Sequence, residues 1–177
     1  PINPTAMPTM MPSNMPSSMP TIMPAMGDVA NGEDVFRYET FGNEDFWTDA
    51  ARLPEGLVTA GITPVQALQL GLHVDVEALS PEIVEVVAAE LQTDLSPENA
   101  PTLNDPNTTV ALINANAVVG VVPIDTNNDG TLDVLSGDKV GISCVLCHGG
   151  TDKSVFEVPN GGSIGKRVDG PGATNLN

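Results

Sequence analysis

Cys144-Val-Leu-Cys-His148 is the stretch that decides how the rest of this chain is interpreted. Two thiols separated by two residues and followed directly by a histidine form the C-x-x-C-H pattern of covalent haem attachment. In this interpretation Cys144 and Cys147 are the thioether anchors, and His148 binds the iron on one face of the ring. The motif therefore predicts one c-type haem and, with it, electron transfer.

Three other interpretations of the motif compete with haem. A structural zinc site needs four ligands, and beyond Cys144, Cys147 and His148 the chain offers only the distant His73. A thioredoxin-like redox pair should open a helix within a βαβ unit, and the segment before Cys144 shows no such pattern. A plain disulfide would leave His148 without a role. The sequence therefore favours haem c over all three.

Composition excludes some classes of partner. The chain has 23 acidic and 6 basic residues and a formal charge of −17, which argues against nucleic acid and anionic membrane surfaces. No stretch approaches the ~20 apolar residues of a membrane helix, so no membrane span is predicted. The expected partners are redox proteins or extracellular electron acceptors with cationic or neutral surfaces.

The cellular compartment is inferred from covalent haem attachment, because the cysteines give no other information about it. The motif takes both cysteines of the chain, which leaves no disulfide framework. Covalent haem attachment is normally carried out outside the cytoplasm, so we expect a periplasmic, extracellular or cell-surface protein. The chain begins at Pro1 rather than at Met, and we interpret it as a processed or trimmed form.

Residues 1–27 form a tail of different composition. All seven methionines lie in it. Met-Pro pairs recur about every four residues, namely Met7-Pro8, Met11-Pro12, Met15-Pro16, Met19-Pro20 and Met23-Pro24. This density of proline forbids a helix and favours an extended polyproline II strand. The flexible methionines predict docking on another copy, which gives a homo-oligomer or filament; the alternative is a tail folded back on its own subunit.

Residues 28–177 are predicted to be a cytochrome c-like haem domain, mainly α with a small β-hairpin. Capping residues and apolar periodicity predict short helices. They run from Gly32 to Tyr38, from Glu44 to Ala51 after an Asn43 cap, from Pro64 to Gly71 with a Thr63/Gln66 capping box, from Pro81 to Leu91, and onward from Pro106. The hairpin pairs Val118–Val122 with Thr131–Leu135, and Val140–Ile142 then leads the chain into Cys144.

The hairpin loop is a second candidate metal site. Its oxygen donors recur at alternate positions: Asp125, Asn127, Asp129, Thr131 through its carbonyl, and Asp133. This order matches the front of a calcium-binding loop, with Gly130 at the sharp turn. The twelfth position is Ser136 rather than glutamate, so Asp138 would have to complete the shell. The alternative is a polar turn without a metal, and the pattern favours calcium.

The sixth ligand of the iron cannot come from a later Met or His, because none follows His148. His73 is the only other histidine, and we predict that it binds the distal side of the haem, in the same chain or a neighbouring one. Met26 is the next candidate. An open sixth position would instead suit peroxide or oxygen chemistry. In the simplest alternative, His73 is a surface histidine at a helix end.

Two longer stretches resemble a known group of proteins. Residues 35–49, VFRYETFGNEDFWTD, and residues 140–148, VGISCVLCH, are similar to extracytoplasmic bacterial c-type cytochromes with a T-F-G-x-E-x-F-W motif upstream of one late C-x-x-C-H. The similarity extends to Gly165-Lys-Arg-Val-Asp-Gly170 and to Asn175-Leu-Asn177. It implies a monohaem electron-transfer protein, distantly akin to the haem domains of dihaem peroxidases. Such relatives continue beyond the equivalent of Asn177, so truncation of the chain is expected.

Two functions follow from these observations. The first is electron transfer through a six-coordinate, bis-His haem, either in a soluble carrier or in an extracellular filament assembled through residues 1–27. The second is a haem enzyme of peroxidase or oxygenase type with an open distal site. No catalytic residue is assigned for the second, because His73 cannot serve as iron ligand and as base at once.

Overall fold

The computed structural model describes residues 27–170. Almost all of the Met- and Pro-rich tail, together with Asn175-Leu-Asn177, therefore lies outside the described residues. Filament assembly through the tail and iron ligation by Met26 rest on that part of the chain. Both stay predictions.

Short helices and shorter strands alternate along the described chain. The helices are α1 Val29–Tyr38, α2 Leu53–Ala60, α3 Pro64–Gln69, α4 Pro81–Glu90, α5 Pro106–Asn114 and α6 Val145–His148, with a π-helical turn at Phe46–Ala50 and a 3₁₀ turn at Val76–Ala78. The strands are β1 Val74–Asp75, β2 Val121–Ile124, β3 Lys139–Ile142, β4 Gly149–Thr151, β5 Phe156–Glu157, β6 Ser163–Gly165 and β7 Arg167–Asp169. In the range 27–170, no helix has the length and apolar character needed to cross a bilayer.

The strands form three small sheets, so the predicted fold class is wrong. Strands β1, β6 and β5 make one sheet, β2 pairs with β3, and β4 pairs with β7. The domain is a mixed α/β fold rather than mainly α with one hairpin. The extra strands have only two or three residues each, which is too short for the alternating pattern that announces a strand in sequence.

Local capping signals predicted three helix starts correctly. At α3, Thr63 and Gln66 form the expected capping box, in which each side chain bonds the other residue's backbone N–H. Ser80 and Asp105 cap α4 and α5, each with a side-chain oxygen that accepts a first-turn N–H, and proline follows each cap. These helices are fixed by adjacent residues, so their positions can be read from sequence.

Asn43 immediately precedes a helical segment, as predicted, but the Asn43 side chain does not cap the helix. Its amide nitrogen donates to the Ile142 carbonyl at 2.6 Å, and its amide oxygen accepts the Ile142 N–H at 2.8 Å. This pairing ties residue 43 to the end of β3. The helix expected to follow Asn43 is largely a π-helical turn, and α2 was not predicted at all.

The hairpin exists with a different second strand. Val121 of β2 lies opposite Ile142 of β3, and Ile124 lies opposite Lys139, in antiparallel register. Thr131–Leu135 lies in no strand, because residues 125–138 form one long polar loop. The expectation that the Val140 segment delivers the chain directly to Cys144 is confirmed.

The core is aliphatic and lies between the helices and the first two sheets. Its most deeply buried side chains come from α3 to α5, the loops between them and the strands: Leu68, Val87, Leu103, Leu112, Ile113, Val140 and Ile164. Each such side chain contributes about 1.5–3 kcal/mol by leaving water. Leu146 of the C-x-x-C-H segment packs against this core and Val145 before it is fully buried, so packing fixes the position of the motif.

Candidate functional site

The C-x-x-C-H residues form one helical turn at the surface. Cys144 has helical backbone angles, φ −59° and ψ −32°, and α6 follows it directly. Positions i, i+3 and i+4 share a helix face, which places Cys144, Cys147 and His148 on the same side. All three are exposed and both cysteines are free thiols. Val145 is fully buried and anchors the turn from behind.

Gly120 seats this turn from the side of β2. The Ser143 N–H donates to the Gly120 carbonyl at 3.0 Å, just before the motif begins. A Cβ at Gly120 would overlap the backbone nitrogen and Cα of Leu146. Gly120 also has φ +82°, in the left-handed region that favours glycine. The close approach of two backbones therefore requires glycine here, and sequence reasoning did not single it out.

The C-terminal side of the motif is held by a two-stranded sheet. Strand β4 begins directly after His148 and pairs with β7, and the Gly170 N–H donates to the His148 carbonyl at 3.1 Å. Asp169 of β7 accepts a 2.8 Å hydrogen bond from the Arg37 Nε of α1. Residues 165–170, which form part of the sequence resemblance, therefore lie beside the C-x-x-C-H motif.

The end of α1 and the turn after it hold the N-terminal side of the motif. The Ser143 hydroxyl donates to the Arg37 carbonyl at 2.7 Å. Asn43 pairs with Ile142 as described above, and a Cβ at Gly141 would overlap Thr40. We call residues 37–43 the flanking segment. It runs along residues 141–143, so both stretches that resemble the cytochromes lie together.

His73 is half-buried and hydrogen-bonded through its Nδ1. The Ser163 N–H donates to Nδ1 at 3.1 Å, and the Ser163 hydroxyl lies 2.8 Å from the same atom. The Ser163 hydroxyl also lies 2.7 Å from the Thr151 hydroxyl, at the end of β4. Because a backbone N–H can only donate, Nδ1 is an acceptor, and the proton of the neutral ring is on Nε2.

This arrangement sets a condition on distal ligation by His73. Binding iron through Nε2 requires that its proton leave or move to Nδ1, and the latter would break the Ser163 N–H bond. The backbone of His73 lies near the motif, since its carbonyl accepts the N–H of Val119, the neighbour of Gly120, at 2.9 Å. Ligation of iron by His73 stays a prediction.

Burial and the nearby positive charge of Lys153 lower the pKa of His73 below its ordinary value of 6.5. A lowered pKa means that the unfolded chain binds the proton more readily than the folded chain does. The free energy of unfolding should therefore fall as the pH drops below 6.5 and through the lowered pKa. Urea unfolding at pH 7.5 and 5.0 measures this loss, and it should be smaller in H73N, where no ring titrates at this position. Equal losses in both proteins would contradict the prediction.

The carboxylates of the 125–138 loop bind the loop's own backbone. Asp125 accepts the N–H groups of Asn128 and Gly130, at 2.6 and 2.9 Å, and Asp129 accepts that of Thr131 at 2.7 Å. These are the bonds of a polar turn, and a calcium loop also uses some of them. In residues 27–170, no three His, Cys, Asp or Glu side chains are grouped so that they could hold a metal ion. Calcium binding stays a prediction.

The calcium prediction has a direct test. Calcium should raise the melting temperature of the wild-type chain relative to a chelator-treated sample, because only the folded loop gathers the oxygens. The variant N127A/D129A, which removes two predicted ligands, should lose this rise. If calcium leaves the wild-type melting temperature unchanged, the loop is a polar turn.

Asp138 closes the loop. Its carboxylate accepts the N–H of Asp133 at 2.8 Å and that of Thr126 at 3.0 Å, and these bonds lower the pKa of Asp138 below its ordinary 3.8. The stabilisation is therefore complete above pH 3.8 and is lost as the pH falls through the lowered pKa. Measured by thermal unfolding, D138N should melt at a lower temperature than wild type at pH 7, and the gap should narrow toward pH 2. The surface variant D34N serves as the charge-matched control and should show no such gap.

An apolar cavity of about 250 Å³ lies behind the motif. It is enclosed mainly by α2, α3, α5 and the β2–β3 pair, and its lining includes Trp47, Leu57, Leu112, Ile142 and Leu146. Leu146 is two positions after Cys144 and so points away from the face that carries the cysteines. Neither cysteine and no histidine lines the cavity. Sequence reasoning missed this cavity. Its only signal in the sequence is the apolar spacing within α2, α3 and α5.

Comparison of the chain with protein-family models, with curated proteins and with solved structures gave no match. The site is therefore interpreted from its own residues and geometry.

Proposed function

We propose that this protein is an electron carrier that holds one haem c through Cys144 and Cys147, with His148 as the proximal iron ligand. The observation that carries the proposal is the shared exposed face of these three side chains on one helical turn. A rigid turn of this kind can present two thiols and one imidazole to a single porphyrin. The residues present therefore fit a c-type haem.

Each residue of the turn has a defined task. Each thiol would add across one vinyl group, forming a carbon–sulfur bond while its proton ends on the outer vinyl carbon, so no oxidant is needed. The imidazole of His148 would supply a nitrogen to the iron from the next position on the same face. Val145 and Gly120 keep the turn in place. When bound, the haem iron would accept and release one electron.

The wider sequence supports the same proposal. The resemblance of residues 35–49 and 140–148 to extracytoplasmic monohaem cytochromes carries an extracytoplasmic location with it. The formal charge of −17 favours redox partners with cationic surfaces, whose association would weaken as salt is added. The same negative charge would repel nucleic acid, so the expected partners are proteins.

The proposal is tested by producing the chain together with a covalent haem-attachment system and denaturing the product. We expect one haem per chain, resistant to extraction by acidic acetone, and a reversible one-electron couple in a redox titration. An authentic c-type cytochrome produced in parallel is the control. Wild-type chain without covalent haem, under conditions that load the control, would contradict the proposal.

A second candidate function is a haem enzyme with an open distal site. The hydrogen bond from the Ser163 N–H to Nδ1 of His73 favours it, because it leaves the Nε2 proton in place and the ring unable to bind iron as it stands. Carbon monoxide and cyanide should then bind rapidly, and hydrogen peroxide should be consumed. Near-infrared magnetic circular dichroism of the oxidised protein separates this case from a bis-His haem. Slow or absent ligand binding would reject the enzyme.

A further inference from the structure

Phe41 has two properties that the fold does not explain. Its side chain is 72 % exposed, although it is a large aromatic group. Its backbone has φ +55°, in the left-handed region that aromatic residues rarely adopt. Unfavourable backbone conformations persist where the surroundings enforce them, and they are concentrated at functional sites.

The helix before Phe41 is also only partly covered. No residue of α1 is buried, and its Val35 and Tyr38 side chains are 40 % and 38 % exposed. Tyr38 is nevertheless fixed in position, because the Arg167 guanidinium lies 5.3 Å from the centre of its ring. Arg167 is itself held by a buried ion pair with Asp75, at 3.1 Å. The Tyr38 ring is thus held in place by Arg167 while part of it stays exposed to solvent.

These aromatic residues lie beside the haem-attachment turn. Tyr38 and Phe41 belong to the flanking segment, which is bonded to residues 142 and 143 immediately before Cys144. A porphyrin attached through two short thioether links must stay within a few bonds of the α6 face. The flanking segment, which is bonded to the two residues before Cys144, brings uncovered aromatic side chains to this part of the surface.

The core cavity is on the wrong side for the same porphyrin. Leu146 lines the cavity, and the helical turn directs it away from Cys144, Cys147 and His148. Val145 is fully buried beside it, so a group attached to the cysteines cannot pass through the turn to the cavity. The haem face and the cavity are therefore two separate features.

We infer that the haem lies on the outer face of α6 and that Phe41 and Tyr38 cover part of its edge, whereas the cavity behind Leu146 lies outside the haem site. The inference rests on the proposed function. It assigns the flanking segment the task of excluding water from the haem, which is how a protein raises the reduction potential of an iron centre.

The experiment compares haem-loaded variants. Asn tolerates left-handed backbone angles, so F41N removes the aromatic group and relieves the backbone at once. We expect a lower midpoint potential and several-fold faster reduction by dithionite, with a melting temperature equal to or above that of wild type. A purely structural role for Phe41 would lower the melting temperature and leave the potential unchanged.

Two control variants make the result specific. V86S removes an apolar side chain that is 46 % exposed on α4, and it should change neither the potential nor the reduction rate. A67F fills the cavity and should change the melting temperature while it leaves the haem absorption bands in place. A shift of the haem absorption bands in A67F would overturn the inference. Equal midpoint potentials of F41N and V86S would overturn it as well.

Two further outcomes are informative. If Phe41 instead contacts a second copy of the chain, F41N will lower the mass measured by light scattering while the potential stays at the wild-type value, and the inference is overturned. If the wild-type chain takes up no covalent haem, it is the proposed function that fails. The two failures are therefore distinguishable.

Discussion

The double variant C144S/C147S is expected to carry no covalent haem. The chain contains only these two cysteines, so no other thiol can take over the thioether links. Serine is close to cysteine in size, and both positions are exposed, so the fold itself should change little. Haem staining of a denaturing gel, together with the absorption spectrum in alkaline pyridine, measures the loss. We expect no detectable covalent haem.

Three variants separate attachment from ligation. C144S and C147S should each retain one thioether, and their pyridine spectra should shift to longer wavelength because one vinyl group stays unsaturated. H148A should retain both thioethers and lose the normal iron coordination, which changes the spectrum of the native protein only. Covalent haem in the double variant would contradict the assignment of the two anchors. The assignment would also be contradicted if the haem-loaded wild type still had thiols that react with thiol reagents.

Features fixed by neighbouring residues could be predicted from the sequence. The Thr63/Gln66 box and the Ser80 cap act within one turn, so their residues alone determine where α3 and α4 begin. The C-x-x-C-H spacing is local in the same sense. Helical geometry brings Cys144, Cys147 and His148 to one face with no help from the rest of the chain.

Features fixed by distant residues could not be predicted. Strand β1 pairs with β6 across a separation of 90 residues, Val74 opposite Ile164, and neither strand is long enough to show a pattern. Asn43 has a typical helix-capping sequence, yet its amide pairs with Ile142 in β3. A tertiary contact overrode the local preference there, and the same holds for the second strand of the hairpin.

The surroundings of the site belong to this second class. The sequence contains 17 glycines, and nothing in their spacing marks Gly120 as the one against which the motif turn packs. His73 was identified as the only other histidine, but its bond to Ser163 depends on the pairing of β1 with β6. The left-handed backbone of Phe41 likewise became visible only in the folded chain.

Replacing Gly120 by alanine is expected to cost at least about 3 kcal/mol of unfolding free energy, the range of severe single substitutions. Two effects add. The positive φ of +82° is unfavourable for any residue with a Cβ, and that Cβ would overlap the backbone of Leu146, which cannot move aside as a flexible side chain could. A loss of this size is a large share of a domain's usual 5–15 kcal/mol. Cells that produce G120A should also contain less covalent haem, because the turn that the substitution displaces carries both predicted anchors, Cys144 and Cys147.

Gly130 provides the matched control for this prediction. It has nearly the same backbone angle, φ +80°, but a Cβ there would meet nothing within 4 Å. G130A should therefore show the conformational cost alone, about 1 kcal/mol, when both variants are unfolded by urea in the presence of a chelator. The difference between the two variants isolates the contact of Gly120 with Leu146. Equal losses would mean that the motif turn shifts to accept a methyl group, and that its position is set by Val145 and the Ser143 bonds instead.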